Sequence, residues 1–414
     1  MNNQLVAVLD FGSQYTQLIA RRIREHNVYS EILPYDISIE VIQDKQVKAI
    51  ILSGGPSSIY ENKSPQIKSN LLDLGIPVLG ICYGLHAMIH NSNGRVIHKG
   101  QGEYGSAFIN SVYESLLFKN ISNNSKVWMS HGDEIEDIGN EFRIIAKSSN
   151  NIIAAIEHKE KQLYGVQFHP EVMHTVEGGI IISNFLFDIA GCAKDWTAKN
   201  FISESIDNIR KMVGDNGTVV TGLSGGVDSS VVSTLLHRAI GKRSKCIFID
   251  HGLLRKNESD QVMGSLKEGL GLHIYKYNCS EIFLSKLKGV IDPEKKRKII
   301  GEQFIRSFEL AAKEHGNANF LAQGTLYPDV IESGGSELGP AVTIKSHHNV
   351  GGLPDDMNFN LIEPIRSLFK DEVRKVGLEL GLPKFVVQRH PFPGPGLAVR
   401  IIGEVNEEYL HILK

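Results

Sequence analysis

The first half of the chain alternates short apolar runs with amphipathic stretches. The runs Leu5–Leu9, Ala49–Leu52 and Pro77–Ile81 are almost continuously hydrophobic, which is typical of strands buried on both faces of a parallel sheet. The segments Gln14–His26 and Gln66–Leu74 between them carry apolar residues at helical spacing. This alternation predicts an α/β domain whose doubly wound sheet is covered by helices on both faces.

The second half repeats this alternation after the pattern loosens near Gly191–Asn200. Ser230–Ile240 has the apolar spacing of a helix. Three apolar runs around it have the length of buried strands, and they are Val219–Leu223, Cys246–Ile249 and Phe320–Ala322. We therefore predict two doubly wound α/β domains, 1–195 and 196–390, joined near Asp195 and Trp196.

Three later segments break the second pattern. Residues 333–352 are rich in glycine and long for a loop in a compact domain, which predicts a mobile lid or a disordered stretch. The sequence of Pro391–Gly396 excludes a helix or a central strand there. Asn406 has the position of a helix N-cap. The apolar face of the helix that would follow consists of Tyr409, Leu410 and Leu413.

Composition excludes several classes of protein. The chain has 414 residues and a formal net charge of −3, so no basic surface for nucleic acid or membrane is indicated. The single basic run, Lys295–Lys298, has the pattern of a solvated helix face. No apolar stretch is long enough to span a membrane, and no secretory leader precedes Leu5. The four cysteines are far apart in sequence, which fits a reducing cytoplasm and indicates no zinc site or disulfide framework.

The segment Ser224–Ser230, Ser-Gly-Gly-Val-Asp-Ser-Ser, lies between an apolar run and a predicted helix. Its two adjacent glycines allow backbone N–H groups to approach an anion, and the helix N-terminus and serine hydroxyls add donors. The loop lacks the Gly-Lys-Ser/Thr ending of the Walker A type. Asp228 inside it could connect Mg²⁺ to phosphate. The alternative is an ordinary glycine turn before a helix.

Cys82 lies between Gly80 and Gly84, after a predicted buried strand and before a helix. Small residues on both sides of a nucleophile permit the sharp strand-to-helix turn of the Gly-x-Ser-x-Gly elbow, here with sulfur in place of oxygen. The adjacent helix N-terminus favours the thiolate. The alternative is a buried cysteine that acts as a small hydrophobic residue.

A cysteine nucleophile needs a base to take and return a proton. His169 ends an apolar run, and Glu171 two residues later could orient its imidazole as the third member of a triad. The weaker candidates lack an acid two residues away at the end of a strand, and they are His86, His131 and His174. The alternative is a surface histidine with no catalytic role.

A second apolar run ends at Ser53, Gly54, Gly55 and Pro56. The N–H groups of this turn could form one half of an oxyanion hole, with the Tyr83 N–H as the other half. The alternative is an ordinary turn at the end of a strand.

These motifs resemble known families. In the first half the chain resembles class I glutamine amidotransferases at Asp10–Tyr15, Ser53–Pro56, Gly80–Gly84, Met129–Asp133 and Gly165–Glu171. In the second half it resembles ATP pyrophosphatases of the N type at Ser224–Ser230, Gly252–Arg255, Asp292–Glu294, Lys296–Gly301, Ala322–Thr325, Tyr327–Ser333, Ile344–Gly352 and Arg389–Leu397. The two domains in this order are similar to the glutamine-hydrolysing GMP synthetase family.

The resemblance implies a carbon–nitrogen ligase of purine nucleotide biosynthesis. Cys82, His169 and Glu171 would release ammonia from glutamine through a thioester. Ser224–Ser230 would hold the pyrophosphate of ATP with Mg²⁺. ATP would adenylate XMP on the C2 oxygen of its base, and ammonia would displace AMP to give GMP, with glutamate, AMP and pyrophosphate as the other products.

The resemblance also assigns individual residues. His86 stands where the family usually has a glutamine that helps to hold the substrate glutamine, beside Gly54, Gly55 and Tyr83. The implied ATP contacts are Ser224, Gly225, Gly226, Val227, Asp228, Ser229, Ser230, Asp250, Leu254 and Gly324, with Asp228 also the implied Mg²⁺ ligand. Contacts to phosphate or XMP are implied for Arg297, Asp329 and Lys345. His251 replaces an asparagine of the family.

The implied partners are glutamine, ATP and XMP, with neither nucleic acid nor membrane, in a cytoplasmic protein. The family continues past Lys414 and is homodimeric, so residues 391–414 would begin a truncated C-terminal dimerisation subdomain. Two other functions stay open. One is a different amidating or thiolating ATP pyrophosphatase, such as a tRNA-modifying enzyme or NAD synthetase. The other is a non-catalytic binding or regulatory module.

Overall fold

A computed structural model describes residues 4–62, 64–68, 70–314, 318–332, 359–390 and 394–414, with backbone alone for 99–101. The chain divides into two compact units, Met1–Thr197 and Ala198–Lys414. The predicted lid at 333–352 and the predicted contact residue Lys345 lie outside the described residues. The domain limits from the sequence analysis stay predictions.

Unit 1 contains one nine-stranded sheet. Its strands are β1 Leu5–Asp10, β2 Tyr29–Pro34, β3 Val47–Leu52, β4 Val78–Ile81, β5 Arg95–Ser111, β6 Ser125–Asp137, β7 Phe142–Ser148, β8 Ile153–His158 and β9 Leu163–Val166. They lie in the order β2-β1-β3-β4-β9-β8-β7-β5-β6. Strands β1 to β4 and β9 pair in parallel, and β9 also begins an antiparallel half formed with β8, β7, β5 and β6.

The helices of unit 1 cover the parallel half of this sheet. They are α1 Thr16–Glu25, α2 Ile39–Asp44, α3 Tyr83–Asn91 and α4 Gly178–Ser183, the last continuing as a π-helical turn, Asn184–Ile189, with 3-10 turns at Leu71–Asp73 and Leu116–Phe118. The α/β prediction is confirmed for this half. The antiparallel half was not predicted, because strands such as β6 alternate buried and exposed residues instead of forming continuous apolar runs.

The predicted helix Gln66–Leu74 is wrong, since the 3-10 turn is the regular structure in the described part of that segment. Ile67, Leu71 and Leu72 are buried, so the spacing that suggested a helix face is satisfied by an irregular chain. Gln66 Nε2 donates to the Ile59 carbonyl at 3.3 Å. Side-chain contacts of this kind replace the helical ladder.

Unit 2 contains a five-stranded parallel sheet. Its strands are β10 Val219–Gly222, β11 Ser244–Asp250, β12 Ile274–Asn278, β13 Phe320–Ala322 and β14 Asn360–Ile362. They lie in the order β12-β11-β10-β13-β14, and all described pairs are parallel. The chain leaves β10 towards β11 on one side and later returns to β13 on the other, so the carboxyl end of β10 is the switch point where such sheets bind ligands.

The helices of unit 2 are α5 Ala198–Val213, α6 Val227–Ile240, α7 Glu258–Val262, α8 Ser280–Leu287, α9 Pro293–Glu314, α10 Tyr327–Glu332, α11 Lys370–Glu379, α12 Lys384–Val387 and α13 Glu407–Leu413. A π-helical turn, Met263–Glu268, continues α7, and 3-10 turns lie at Gly241–Arg243 and Gly396–Arg400. Helix α6 begins three residues before the predicted start at Ser230. The two-domain α/β fold class is confirmed.

Helix α13 begins at the predicted N-cap, where Asn406 Oδ1 accepts the Tyr409 N–H at 2.8 Å. Of the predicted apolar face, Leu410 is buried at 4% exposure. Tyr409 and Leu413 remain 44% and 42% exposed. The predicted helix is therefore present, but one of its three apolar residues is buried within the described chain.

Lys296 contradicts the prediction of a solvated basic face for Lys295–Lys298. Its side chain is 0% exposed, and its Nζ donates to the carbonyl oxygens of Ala398, Ile401 and Gly403 at 3.3, 2.8 and 2.6 Å. Burial lowers the pKa of this amine. A single lysine on α9 thus holds the chain between residues 398 and 403.

Replacing Lys296 with methionine is expected to destabilise unit 2 by about 3 kcal/mol, because two buried carbonyls and one partly buried carbonyl lose their donor. The measurement is urea denaturation of Lys296→Met. Lys295→Met, on the exposed side of the same turn, is the matched control and is expected to shift stability by less than about 0.5 kcal/mol. Equal midpoints for the two variants would contradict this role of Lys296.

Candidate active sites

The first site is built on a strained turn between β4 and α3. Cys82 has φ 51° and ψ −106°, a backbone conformation that residues other than glycine rarely adopt. A Cβ atom at Gly84 would lie 2.4 Å from the Leu52 carbonyl oxygen, and one at Gly80 would lie 2.7 Å from the Leu85 nitrogen. The two flanking glycines are therefore needed for the elbow that presents Cys82.

His169 and Glu171 lie together beside this elbow. His169 Nδ1 is 2.8 Å from Glu171 Oε1, and both side chains are buried. Thr175 Oγ1 donates to the His169 carbonyl at 2.6 Å, and the Tyr15 ring packs edge-on against the imidazole at 5.4 Å. These contacts fix the ring in one orientation.

The pKa of His169 is shifted by opposing effects. Burial lowers it, but hydrogen bonds to Cys82 and Glu171 and the charges of both outweigh burial and raise the pKa above its ordinary value. The imidazole therefore keeps its proton at neutral pH, with the cysteine sulfur on one side and a carboxylate on the other. Such a group can give a proton to a departing amine.

The turn predicted to form an oxyanion hole lies against the same residues. A Cβ atom at Gly54 would lie 3.2 Å from His169 Cε1, and one at Gly55 would lie 2.8 Å from the Phe11 carbonyl and 3.1 Å from Tyr83 Cγ. Ser53 Oγ accepts the Phe11 N–H at 3.0 Å and donates to the Gly54 carbonyl at 2.8 Å. The structure thus brings the turn, the base and the elbow together.

His86, predicted to contact glutamine, is buried at 3% exposure on α3. Its Nε2 lies 2.8 Å from Gln167 Oε1. Burial lowers the pKa of His86 to about 4, so the ring is neutral in ordinary buffers. Gln167 was missed by the sequence analysis. Its spacing of two from His169, at the end of a strand, was the available signal, because alternate residues share one face.

The second site begins at the carboxyl end of β10. The loop Ser224–Gly226 leads into α6, and Gly225 has φ +73°. A Cβ atom at Gly225 would lie 2.7 Å from Val262 Cγ2, so a larger residue would displace the loop. Ser224 Oγ and Ser229 Oγ are 3.0 Å apart, and Ser230 Oγ donates to the Gly226 carbonyl. Hydrogen bonds between residues of the loop itself therefore fix its conformation.

A cavity of about 1230 Å³ opens over this loop. Of the predicted ATP and XMP residues, six line it: Ser224, Gly226, Val227, Asp228, Leu254 and Arg297. Gly225 belongs to the loop beneath, and Gly324 approaches Asp228, with its Cβ position 3.3 Å from Asp228 Cβ. The cavity volume suits a nucleotide-sized ligand.

Two residues that were predicted to contact ligands, Asp250 and Asp329, accept hydrogen bonds from nearby backbone N–H groups. Asp250 Oδ1 accepts the Gly252 N–H at 3.2 Å, and its Oδ2 lies 3.6 Å from Lys276 Nζ. Asp329 Oδ2 accepts the Leu326 N–H at 3.0 Å, at the start of α10. The structure gives both carboxylates a turn-capping contact, and their proposed roles towards ligands rest on the resemblance.

Cationic side chains that the sequence analysis did not assign face the cavity. Arg389 Nη2 lies 2.6 Å from Glu258 Oε1, and its Nη1 donates to the Gly225 carbonyl at 3.2 Å. Glu258 is 3% exposed and also accepts the Arg255 N–H. This buried pair ties Arg389 to the loop. The other unassigned lining cations are Lys298, Arg306, Lys370 and Arg374, and the predicted Arg297 lies among them.

Asp228 is the carboxylate of the loop. Lys370 Nζ lies 2.5 Å from its Oδ2, whereas its Oδ1 is buried with no hydrogen-bond partner among the described residues. Mg²⁺ takes one or two protein carboxylates together with phosphate oxygens, so this unpartnered oxygen fits a metal that arrives with a nucleotide. The described chain contains no cluster of three acidic, cysteine or histidine residues that could hold a metal by itself.

His251 lies at the cavity wall, and its Nδ1 accepts the Leu253 N–H at 3.1 Å. Burial lowers its pKa to about 4, against a weaker opposite effect from Asp250. Folded His251 therefore binds fewer protons than unfolded His251 between pH 6.5 and about 4. The folding stability that depends on neutral His251 is therefore fully present above pH 6.5 and is lost as the pH falls towards about 4.

His251→Asn is expected to keep the acceptor for the Leu253 N–H and to remove this acid sensitivity. Between pH 7 and pH 4.5, unit 2 of the native protein should lose about 3 kcal/mol more stability than the variant does. Urea denaturation at the two pH values measures the difference, and titrations shared by both proteins cancel. Equal losses would contradict a buried neutral His251.

Comparisons with known proteins define the class first. The family model "Glutamine amidotransferase class-I" matches residues 7–189, and the model "NAD synthase" matches residues 201–318. The chain is thus a class I glutamine amidotransferase unit followed by a unit of the NAD synthase type. Among the described residues, no helix is both long and apolar enough to cross a membrane.

Several relatives match this chain over its whole length. "GMP synthase [glutamine-hydrolyzing]" of Acetivibrio thermocellus is 55% identical over 100% of this chain and 80% of the relative. The proteins of the same description from Clostridium botulinum strain Kyoto and Caldicellulosiruptor saccharolyticus are each 54% identical with the same coverage. The chain belongs to the family of glutamine-hydrolysing GMP synthases, and the family resemblance found in the sequence is confirmed.

Proposed function

We propose that this protein makes GMP from XMP, with ATP as the activating substrate and glutamine as the source of ammonia. One observation carries the proposal: one chain contains a cysteine elbow with a His169–Glu171 pair and a phosphate-type loop whose Asp228 Oδ1 has no hydrogen-bond partner among the described residues. Relatives at 54–55% identity over the full chain support it. The enzyme is a carbon–nitrogen ligase.

Cys82, His169 and Glu171 are the proposed glutaminase residues. The sulfur attacks the side-chain carbonyl of glutamine, and His169 gives its proton to the nitrogen as the C–N bond breaks, so ammonia leaves and a thioester remains. Neutral His169 then takes a proton from water, and the hydroxide cleaves the thioester to release glutamate. Glu171 holds the imidazole in place and stabilises its charged form.

The oxyanion of each tetrahedral intermediate needs fixed donors. The Tyr83 N–H at the start of α3 and the N–H groups of Gly54 and Gly55 are the proposed donors, because the turn packs directly on His169 and Tyr83. Losing one donor of this kind typically costs about 3–4 kcal/mol of transition-state stabilisation.

In unit 2 the loop Ser224–Ser230 is proposed to hold the pyrophosphate of ATP. Its N–H groups at the start of α6 and the lining cations Lys370 and Arg389 supply positive potential. Asp228 would hold Mg²⁺ together with phosphate oxygens, and Mg²⁺ when bound neutralises charge on the leaving pyrophosphate. Arg297 at the cavity wall, with Asp329 and Lys345, remains a proposed contact to phosphate or XMP.

The proposed synthetase reaction has two steps. The C2 oxygen of XMP attacks the α-phosphorus of ATP, and pyrophosphate leaves. Ammonia then adds at C2, and AMP leaves with that oxygen, so GMP is formed. A carbonyl oxygen is a poor leaving group and AMP is a good one, which is why ATP is cleaved between the α- and β-phosphates. A homodimer and a cytoplasmic location also remain proposals.

The function is tested by incubating the protein with ATP, Mg²⁺ and XMP, with either glutamine or an ammonium salt. We expect AMP, pyrophosphate and GMP in equal amounts with both nitrogen sources, and glutamate with glutamine alone. An absence of XMP-dependent AMP formation, even with ammonium, would contradict the proposal.

The match of residues 201–318 to the NAD synthase model makes deamido-NAD the specific alternative substrate. Amidation of its carboxylate also begins with adenylation, so the same loop would serve. Replacing XMP by deamido-NAD in the assay separates the two functions. We expect no AMP above background with deamido-NAD, because the full-chain relatives are GMP synthases.

A further inference from the structure

Gln167 connects the helix residue His86 to the sulfur of Cys82. Its Oε1 lies 2.8 Å from His86 Nε2, and its Nε2 lies 3.9 Å from Cys82 Sγ, within the range of a hydrogen bond to sulfur. The side chain is 0% exposed. Packing a sheet against a helix needs only an apolar side chain at this position. A buried carboxamide whose amide nitrogen contacts the sulfur therefore indicates a further role.

The backbone places Gln167 in this position. Gly165, two residues earlier, faces α3 so closely that a Cβ atom there would lie 2.3 Å from Leu85 Cδ1. Gln167 has the same strand phase, and its N–H donates to the Ala154 carbonyl at 2.9 Å. Cys82 N–H donates to the Val166 carbonyl at 2.8 Å. The nucleophile and the carboxamide are therefore fixed by neighbouring ladder bonds.

The orientation of the carboxamide follows from His86. A neutral imidazole has one N–H, and an Nε2–H that faces Gln167 donates to Oε1. The amide nitrogen of Gln167 is then directed to the sulfur. The other titratable groups around this cluster are His131 and Asp133 near His86, and His169 and Glu171 near Cys82. His169 is the charged partner of the sulfur, and its neutral neighbours are the Gln167 carboxamide and the Ser130 carbonyl oxygen, which lies 3.6 Å from Sγ.

We propose that the Gln167 side chain donates a hydrogen bond to the Cys82 thiolate and that His86 is a positioning residue which holds Gln167 in this orientation. The inference rests on the proposed glutaminase function and deepens it. It gives His86 a role different from the direct glutamine contact that the family resemblance implies. An N–H group that donates to the sulfur stabilises the negatively charged thiolate before attack. This hydrogen bond weakens when the sulfur bonds to the substrate carbon and loses its charge.

The test is the pH dependence of alkylation of Cys82 by iodoacetamide, followed by mass analysis of the peptide that contains Cys82. Gln167→Leu is expected to raise the midpoint of the alkylation profile by about one pH unit, the equivalent of one weak hydrogen bond to a charged group. The acid limb of its kcat profile for glutamine hydrolysis should move up by the same amount, so that kcat falls about tenfold at pH values below the native midpoint. Its KM should stay within about twofold, because substrate contacts are unchanged.

His86 is tested with two substitutions on α3 and one control. His86→Leu removes the donor and should reproduce most of the Gln167→Leu shift. His86→Gln restores a donor to the Gln167 carboxamide and should return the midpoint close to that of the native protein. His90→Leu, one turn further on the same helix and exposed, is the matched control and should behave as the native protein.

Two results would overturn the inference. One is a folded Gln167→Leu protein with native alkylation midpoint and native kcat. The other is a His86→Leu protein whose KM for glutamine rises while the midpoint and kcat stay native, since that is the behaviour of a substrate contact. A native protein that hydrolyses no glutamine would refute the proposed function instead, while the alkylation profile would still test Gln167.

Discussion

Cys82→Ala is expected to abolish GMP formation from glutamine while GMP formation from ammonium continues. The alanine variant has no nucleophile, so the glutamine-dependent rate should fall by at least about 10⁴-fold. The ammonium-dependent rate should stay within about twofold, because the described residues that line the proposed ATP cavity all belong to unit 2. The two rates are measured as GMP formed with each nitrogen source.

Cys192→Ala is the matched control for this experiment. Cys192 is buried in the same unit, and burial raises the pKa of its thiol to about 11, so it is unreactive. Its substitution should leave both rates close to native. Equal loss of both activities in a folded Cys82→Ala protein would contradict the assignment of two separate sites.

Asp228→Asn is expected to impair ATP use and to leave the cysteine chemistry in place. Asparagine keeps the shape of the side chain but removes the charge that pairs with Lys370 and is proposed to bind Mg²⁺. The rate of AMP formation at saturating XMP and ammonium should fall at least about 100-fold, with a higher Mg²⁺ requirement. A Mg²⁺ titration of AMP formation measures both effects.

Asp260→Asn, an exposed carboxylate on α7, is the control and should keep the native Mg²⁺ dependence. Alkylation of Cys82 in Asp228→Asn should match the native protein, which shows that unit 1 is intact. An unchanged Mg²⁺ and ATP dependence of Asp228→Asn would remove this residue from the metal site.

Much of the fold was predictable because buried parallel strands carry continuous apolar runs. β1, β3 and β13 were found this way. The antiparallel strands β5 and β6 have one solvated face, so their mixed composition does not separate them from loops. The segment Gln66–Leu74 shows the opposite error: helical spacing of apolar residues was satisfied by an irregular chain.

The sites were predictable where short motifs fix them. Cys82, His169 and Asp228 stand in local patterns whose geometry follows from a strand, a turn and a helix. Lys370 lies 142 residues from Asp228, and no spacing in the sequence reports a contact of that range. Lys296 was assigned to the surface because charge predicts exposure, and its three carbonyl partners come from a distant turn.

Gln167 was missed for a different reason. It lies within a motif that was recognised, but a glutamine carries no charge and no nucleophile to mark it. Its relation to His86 and Cys82 depends on how α3 packs on the end of β9, which is a tertiary contact. Sequence motifs thus pointed to the proposed reacting atoms, and the structure added groups that contact them.

The most direct measurement follows the oxygen at C2 of XMP. XMP that carries a heavy oxygen isotope on C2 is incubated with the protein, ATP, Mg²⁺ and an ammonium salt. The isotope content of each product is then measured by mass spectrometry. If ATP adenylates XMP, the label appears in AMP in equal amount to the GMP formed, and pyrophosphate is unlabelled. Unlabelled AMP, or label in pyrophosphate or inorganic phosphate, would contradict the account.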